Sequence, residues 1–125
     1  MVGAAQATSA TWMFMAVEPA PEVDRIRPYV RTYSGSAKRG TRAIFIAQVR
    51  DNTGQVRMRA LLSYRGLPVL EGRTQFSLVV WRVRQRFHSI RPLPRRLPVG
   101  VYKICVTAWD RAGNQGRSCA RYRVR

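Results

Sequence analysis

Apolar and polar residues alternate with a period of two along most of this chain. In "QVRMRALLSY" (55–64), Val56, Met58, Ala60 and Leu62 fall on one face and Arg57 and Arg59 on the other. That is the pattern of a half-buried strand. "TRAIFIAQVRD" (41–51) is β-branched and apolar, bounded by Gly40 and by the turn-forming "DNTG" at 51–54. "RGLPVLEG" (65–72) predicts a turn and a short strand, which Pro68 assigns to a sheet edge because proline has no N–H to give a ladder. "TQFSLVVWRVRQR" (74–86) predicts a further strand, with Phe76, Leu78 and Val80 on one face and Val79, Trp81 and Val83 on the other. Residues 87–99 carry Pro92, Pro94 and Pro98 and read as a connection. With "RPYVRTYS" (27–34) before them and two strands after residue 99, about seven short strands are expected. No long 3.6-residue periodicity appears, so the fold class is all-β, an antiparallel sandwich.

The last 26 residues, "GVYKICVTAWDRAGNQGRSCARYRVR" (100–125), hold both cysteines of the chain. Centring a turn on Ala112 sets Tyr102 opposite Tyr122, Ile104 opposite Ala120 and Val106 opposite Ser118. The other face then pairs Lys103 with Arg121 and Cys105 with Cys119. Opposed residues of antiparallel strands lie within the Cα separations of a disulfide. A bond here stabilises by roughly 3 kcal/mol in the chain-entropy model. Two buried thiols are the remaining alternative. One histidine, His88, and two cysteines cannot make a four-ligand zinc site, and no Cys-x-x-Cys is present. A disulfide implies an oxidising compartment, hence a secreted or cell-surface protein. In the turn, Gly113 and Asn114 tolerate positive φ and Asp110 can accept hydrogen bonds from amides further on. Calcium is not expected at Asp110, because the other aspartates are only Asp24 and Asp51 and the surrounding charge opposes a cation.

Charge changes the picture more than composition does. The 125 residues carry 23 basic against six acidic side chains, a net +17. Only Lys38 and Lys103 are lysines; the rest are arginine. Such a field favours polyanions. Arg82, Arg84 and Arg86 alternate on one expected strand, and Arg121, Arg123 and Arg125 on the last. If both ladders share a sheet they form a basic stripe, with Trp81, Phe87 and Trp109 interleaved for stacking. The plainer reading is solvated outer faces, where arginine also discourages edge pairing.

Residues 1–24 contain no basic residue but hold Glu18, Glu22 and Asp24. This composition shift, with the Pro-containing "EPAPEVD", divides an extended segment (1–23) from a domain (24–125). "ATSATWMFMAVEP" is strand-like and apolar on both faces, with Met13, Met15 and Val17 against Trp12 and Phe14. Three roles stay open for it: completing its own domain, acting as a processed leader, or adding as a strand to a neighbouring copy.

"LPVGVYKICVTAWDRAGNQGRSCARYRV" resembles the last two strands of bacterial extracellular immunoglobulin-like and fibronectin type III-like domains. The matching residues are Gly100, Tyr102, Asp110, Ala112, Gly113 and Asn114. "AQVRDNTGQVRMRALLSYRG" is similar to their second hairpin. The resemblance implies an immunoglobulin-like sandwich and a spacer, adhesive or assembly role. The second strand lacks a cysteine and the third a core tryptophan, so an antibody-type inter-sheet disulfide is not implied. No nucleophile elbow, P-loop, dinucleotide fingerprint or zincin motif occurs, and the carboxylates are scattered. No apolar run approaches the roughly 20 residues needed to span a bilayer. The sequence therefore predicts a non-catalytic module without cofactor, metal or small-molecule substrate. Its partners would be proteins, including copies of itself assembling through the N-terminal strand; the alternative is a polyanion, either nucleic acid or acidic glycan.

Overall fold

The computed structural model describes residues 24–125. The extended segment 1–23, with Trp12, Met13, Phe14, Met15 and Val17, lies outside the described residues. Those described contain nine strands and no helix: β1 (Tyr29–Thr32), β2 (Gly35–Ala37), β3 (Arg42–Arg50), β4 (Gln55–Tyr64), β5 (Leu67–Arg73), β6 (Ser77–Leu78), β7 (Gln85–Pro92), β8 (Gly100–Asp110) and β9 (Gln115–Val124). Two sheets form. One has the order β1-β3-β7; the other runs β2-β9-β8-β4-β5, with β6 pairing to the start of β4. All pairings are antiparallel except β2 with β9. In the lettering of immunoglobulin sandwiches, A-B-E faces C′-C-F-G. The expected immunoglobulin-like sandwich is the observed fold, with two very short strands beyond the expected seven.

The alternation explains which face goes inward. Val56, Met58, Ala60 and Leu62 of β4 are buried, as are Ile104, Val106 and Ala108 of β8. From the other sheet Ala43, Phe45, Ala47 and Val49 of β3 meet them. Phe45 sits at the centre, its ring 5.8 Å from Phe87 and 5.9 Å from Tyr122. Burying such a side chain contributes about 1.5–3 kcal/mol. Tyr102, buried in the start of β8, donates its hydroxyl to the Pro98 carbonyl at 2.7 Å. This tyrosine corner pins the crossover between the sheets, as in other sandwiches of this kind. The β4–β5 hairpin turns through Arg65 (φ 51°) and Gly66 (φ 80°), the two left-handed residues that a tight, strand-matched turn requires.

One expected element is misplaced. The strand read over 74–86 is only the two residues of β6 there, and the chain turns at 79–84, where Val83 N donates to Val80 O at 2.9 Å. The connection read over 87–99 instead contains most of β7. An apolar run with no clean alternation does not say which sheet it joins. Phe87 decides by packing into the core opposite Phe45. Ser89, polar but buried, masks the strand in the sequence: its hydroxyl accepts from Ala43 N at 3.0 Å and donates to Arg91 O at 2.6 Å. It thereby satisfies backbone groups at the register shift between Arg42 and Ile44.

Candidate functional site

The β8–β9 hairpin has the register read from the sequence, Tyr102↔Tyr122, Ile104↔Ala120 and Cys105↔Cys119 among its ten pairs. Cys105 and Cys119 are bonded, with Cα atoms 4.0 Å apart. The bond lies on the outer face of the sheet, Cys105 buried beneath its neighbours and Cys119 exposed.

In the turn, Asp110 is 1% exposed. Its carboxylate accepts from the Asn114 amide N–H and from Asn114 Nδ2, both at 2.9 Å. Burial alone would raise the Asp110 pKa, but those bonds and contacts with Ala112 and Asp24 outweigh it and hold the carboxyl below its ordinary value. Asn114 Nδ2 also donates to the Asp24 carbonyl at 2.9 Å, so the turn holds the start of the described chain. Gly113 takes φ 89°. Among the described residues no three His, Cys, Asp or Glu side chains stand close enough to hold a metal ion.

The arginine ladders are rearranged. Arg82 and Arg84 lie in the 79–84 loop and Arg86 in β7, so they share no strand face. They belong to the three-stranded side, whereas Arg121 and Arg123 stand on β9 with Arg125 just past it. The two ladders thus lie on different sheets, and the condition for one continuous stripe is not met. Of its interleaved aromatics, Phe87 is in the core, Trp81 stands beside the three-stranded sheet and Trp109 on the outer face of the larger one.

A different basic surface takes its place. Registers across the larger sheet put Arg117, Thr107, Arg59 and Arg73 in one row, from β9 through β8 and β4 to β5. Two residues along, roughly 7 Å away, come Cys119, Cys105, Leu61 and Glu71. The next row is Arg121, Lys103 and Ser63. Arg57 lies over the Trp109 ring at 4.3 Å, and Arg123 extends the face beside Arg121. Among the described residues Glu71 is the one acid on this face. It pairs with Arg59 at 2.7 Å and Arg73 at 2.9 Å, the two ion pairs found among the described residues. Those arginines hold the Glu71 carboxyl below its usual range.

Lys103 and Arg121 are thus directly opposed cations, and neither has a carboxylate partner among the described residues. A shallow depression beside them is lined by Ser63, Arg65, Lys103 and Arg121 together with Gly66, Val101, Tyr102, Cys119 and Ala120. Like charges facing across strands destabilise a sheet by some tenths of a kcal/mol; an oxyanion in the depression would remove that penalty. Arg57, Arg59, Arg73 and Arg117 were not singled out as a site from the sequence. Each looks like an ordinary solvated position until the registers bring four strands side by side.

No family model matches this chain, and no curated protein does. Among solved structures, one of murine CRIg aligns over 79% of this chain and 97% of its own, at 14% identity and a TM-score of 0.40. That likeness is too slight to carry a conclusion. Fold class rests on the strand order itself. Among the described residues no helix is long and apolar enough to cross a membrane.

Proposed function

We propose that this domain is a non-catalytic recognition module of an extracellular protein, binding an acidic glycan through the outer face of its larger sheet. The observation that carries the reading is the opposed Lys103–Arg121 pair, without a carboxylate partner among the described residues, beside a depression that also holds Arg65. Arg117, Arg123 and the stacked Arg57 extend the charge on either side. Guanidinium groups offer paired N–H donors suited to sulfate and carboxylate oxygens. The disulfide favours a glycan over nucleic acid, because such bonds persist in oxidising compartments. Calorimetric titration with a heparin octasaccharide tests this. The triple substitution Lys103→Gln, Arg117→Gln, Arg121→Gln should weaken binding by about tenfold or more, as three charge-assisted contacts are lost. Affinity should also fall steeply with salt. An isotherm unchanged in both affinity and stoichiometry in the triple variant, or binding of single-stranded DNA but not heparin, would overturn it.

A second reading is assembly by strand addition from the N-terminal segment of a neighbouring copy. One observation favours it: β7 ends the three-stranded sheet, with no partner on its outer side among the described residues. A groove beside it is lined by Leu61, Pro68, Val69, Leu70 and Ile90 together with Arg59, Glu71 and Arg91. Light scattering with and without residues 1–23, at low and high salt, tests this. Large species that vanish on truncation and tolerate salt support it; a monomer throughout rejects it.

A further inference from the structure

The opposite side of the sandwich carries a second set of arginines organised in another way. Val30 and Val49 point into the core, so their neighbours Tyr29, Arg31, Gln48 and Arg50 point outward from β1 and β3. The 79–84 loop folds over this face. Trp81 stands 5.4 Å from the Tyr29 ring, and the Arg50 guanidinium carbon lies 5.2 Å from each of the two rings. Beside them Tyr33 has Arg84 at 4.3 Å and Arg31 at 5.1 Å from its centroid. Gln48 joins the halves: it accepts from the Tyr33 hydroxyl and donates to the Trp81 carbonyl at 2.8 Å.

Three guanidiniums are therefore laid on three rings, with no acid among the described residues to neutralise them. The four described carboxylates are all elsewhere. Glu71 serves Arg59 and Arg73 on the other sheet, and Asp110 is enclosed in its turn. Asp51 accepts from Thr53 N at 3.0 Å, and Asp24 from Ile26 N at 3.0 Å and Asn52 Nδ2 at 3.2 Å. Arg86, on the neighbouring β7, adds a fourth exposed cation. A guanidinium resting on a ring keeps its N–H edge free while losing part of its hydration and rotamer freedom. Such a group gives up less entropy when it captures an oxyanion.

We infer that this face is a second anion-binding site, and that one domain bridges two acidic glycan chains. The inference rests on the glycan-binding reading of the larger sheet and adds a function to it. The two sheets pack about 10 Å apart with their outer side chains pointing away from each other. A short acidic chain laid along one face does not reach the other. Two separate chains do, and the domain then acts as a cross-link.

The test is calorimetric stoichiometry with a heparin octasaccharide, together with turbidity on adding long-chain heparin. Light scattering of the protein alone removes any contribution from self-association. The native chain should bind two octasaccharides and cloud with long heparin. The triple substitution Arg31→Gln, Arg50→Gln, Arg84→Gln should bind one and stay clear. Arg84→Glu, a single change in the exposed loop, should do the same and guards against a folding defect in the triple variant. The substitution of Lys103, Arg117 and Arg121 should likewise leave one site, the other one. A native stoichiometry of one, abolished by the Lys103 set and untouched by the Arg31 set, overturns bridging and leaves the glycan reading intact. No binding to the native chain overturns both.

Discussion

Replacing Cys105 and Cys119 by alanine together tests how the hairpin is held. The bond closes a loop of 14 residues' separation. In the chain-entropy model that restriction of the unfolded ensemble stabilises by about 3 kcal/mol. Cys105 is buried and Cys119 exposed, so losing the sulfur atoms adds about a further 0.5 kcal/mol in lost packing. The ten-pair ladder and the tyrosine corner persist without it, so the variant should still fold. Its deficit should be about 3–4 kcal/mol, a large part of the roughly 5–15 kcal/mol available to a domain. The melting temperature should fall by on the order of 12–25 °C. Urea unfolding measures both the free energy and its slope. Because the effect acts on the unfolded chain, the variant's slope should be steeper, as its unfolded state exposes more surface. A deficit below about 1 kcal/mol with an unchanged slope would refute the argument, leaving the ladder alone as what holds the hairpin.

Gly116→Ala should destabilise by about 2 kcal/mol or more, because its Cβ would fall 1.9 Å from the Pro28 carbonyl oxygen, a backbone atom that cannot swing away; thermal unfolding reads it, and a native-like melting point would contradict the close approach. Tyr102→Phe should cost about 1–1.5 kcal/mol by removing the hydroxyl bond to Pro98 and leaving that carbonyl without it, measured by denaturant unfolding. Asp110 has a carboxyl pKa below its unfolded value, so its contribution is present above pH about 4 and is lost as pH falls through the folded pKa. Asp110→Asn should therefore lower stability at neutral pH, by about 1–3 kcal/mol, and flatten the acid limb of a stability–pH curve.

The alternation of residues 41–64 and 100–125 was enough to derive an all-β sandwich and the register of its last hairpin. A period-two pattern fixes which face of each strand is buried, a turn centred on Ala112 fixes the offset, and the resulting pairing also aligns Cys105 with Cys119. The immunoglobulin-like character was legible in the Gly100–Tyr102 and Asp110–Asn114 pattern, whose hydrogen bonds are local. Where the partners are distant the sequence is silent. Residues 74–92 are apolar and proline-marked in ways that suit strand or loop equally, and the core position of Phe87 opposite Phe45 decided between them. The same holds for the charge. Composition established that a basic surface must exist, since 23 cations cannot be hidden. Which arginines act together depended on strand order, because residues from four strands become neighbours only when the sheet is assembled. The Lys103–Arg121 pair was legible from the hairpin register alone, whereas its continuation to Arg59 and Arg73 and the ring-stacked Arg31, Arg50 and Arg84 are products of tertiary pairing between side chains far apart in the chain.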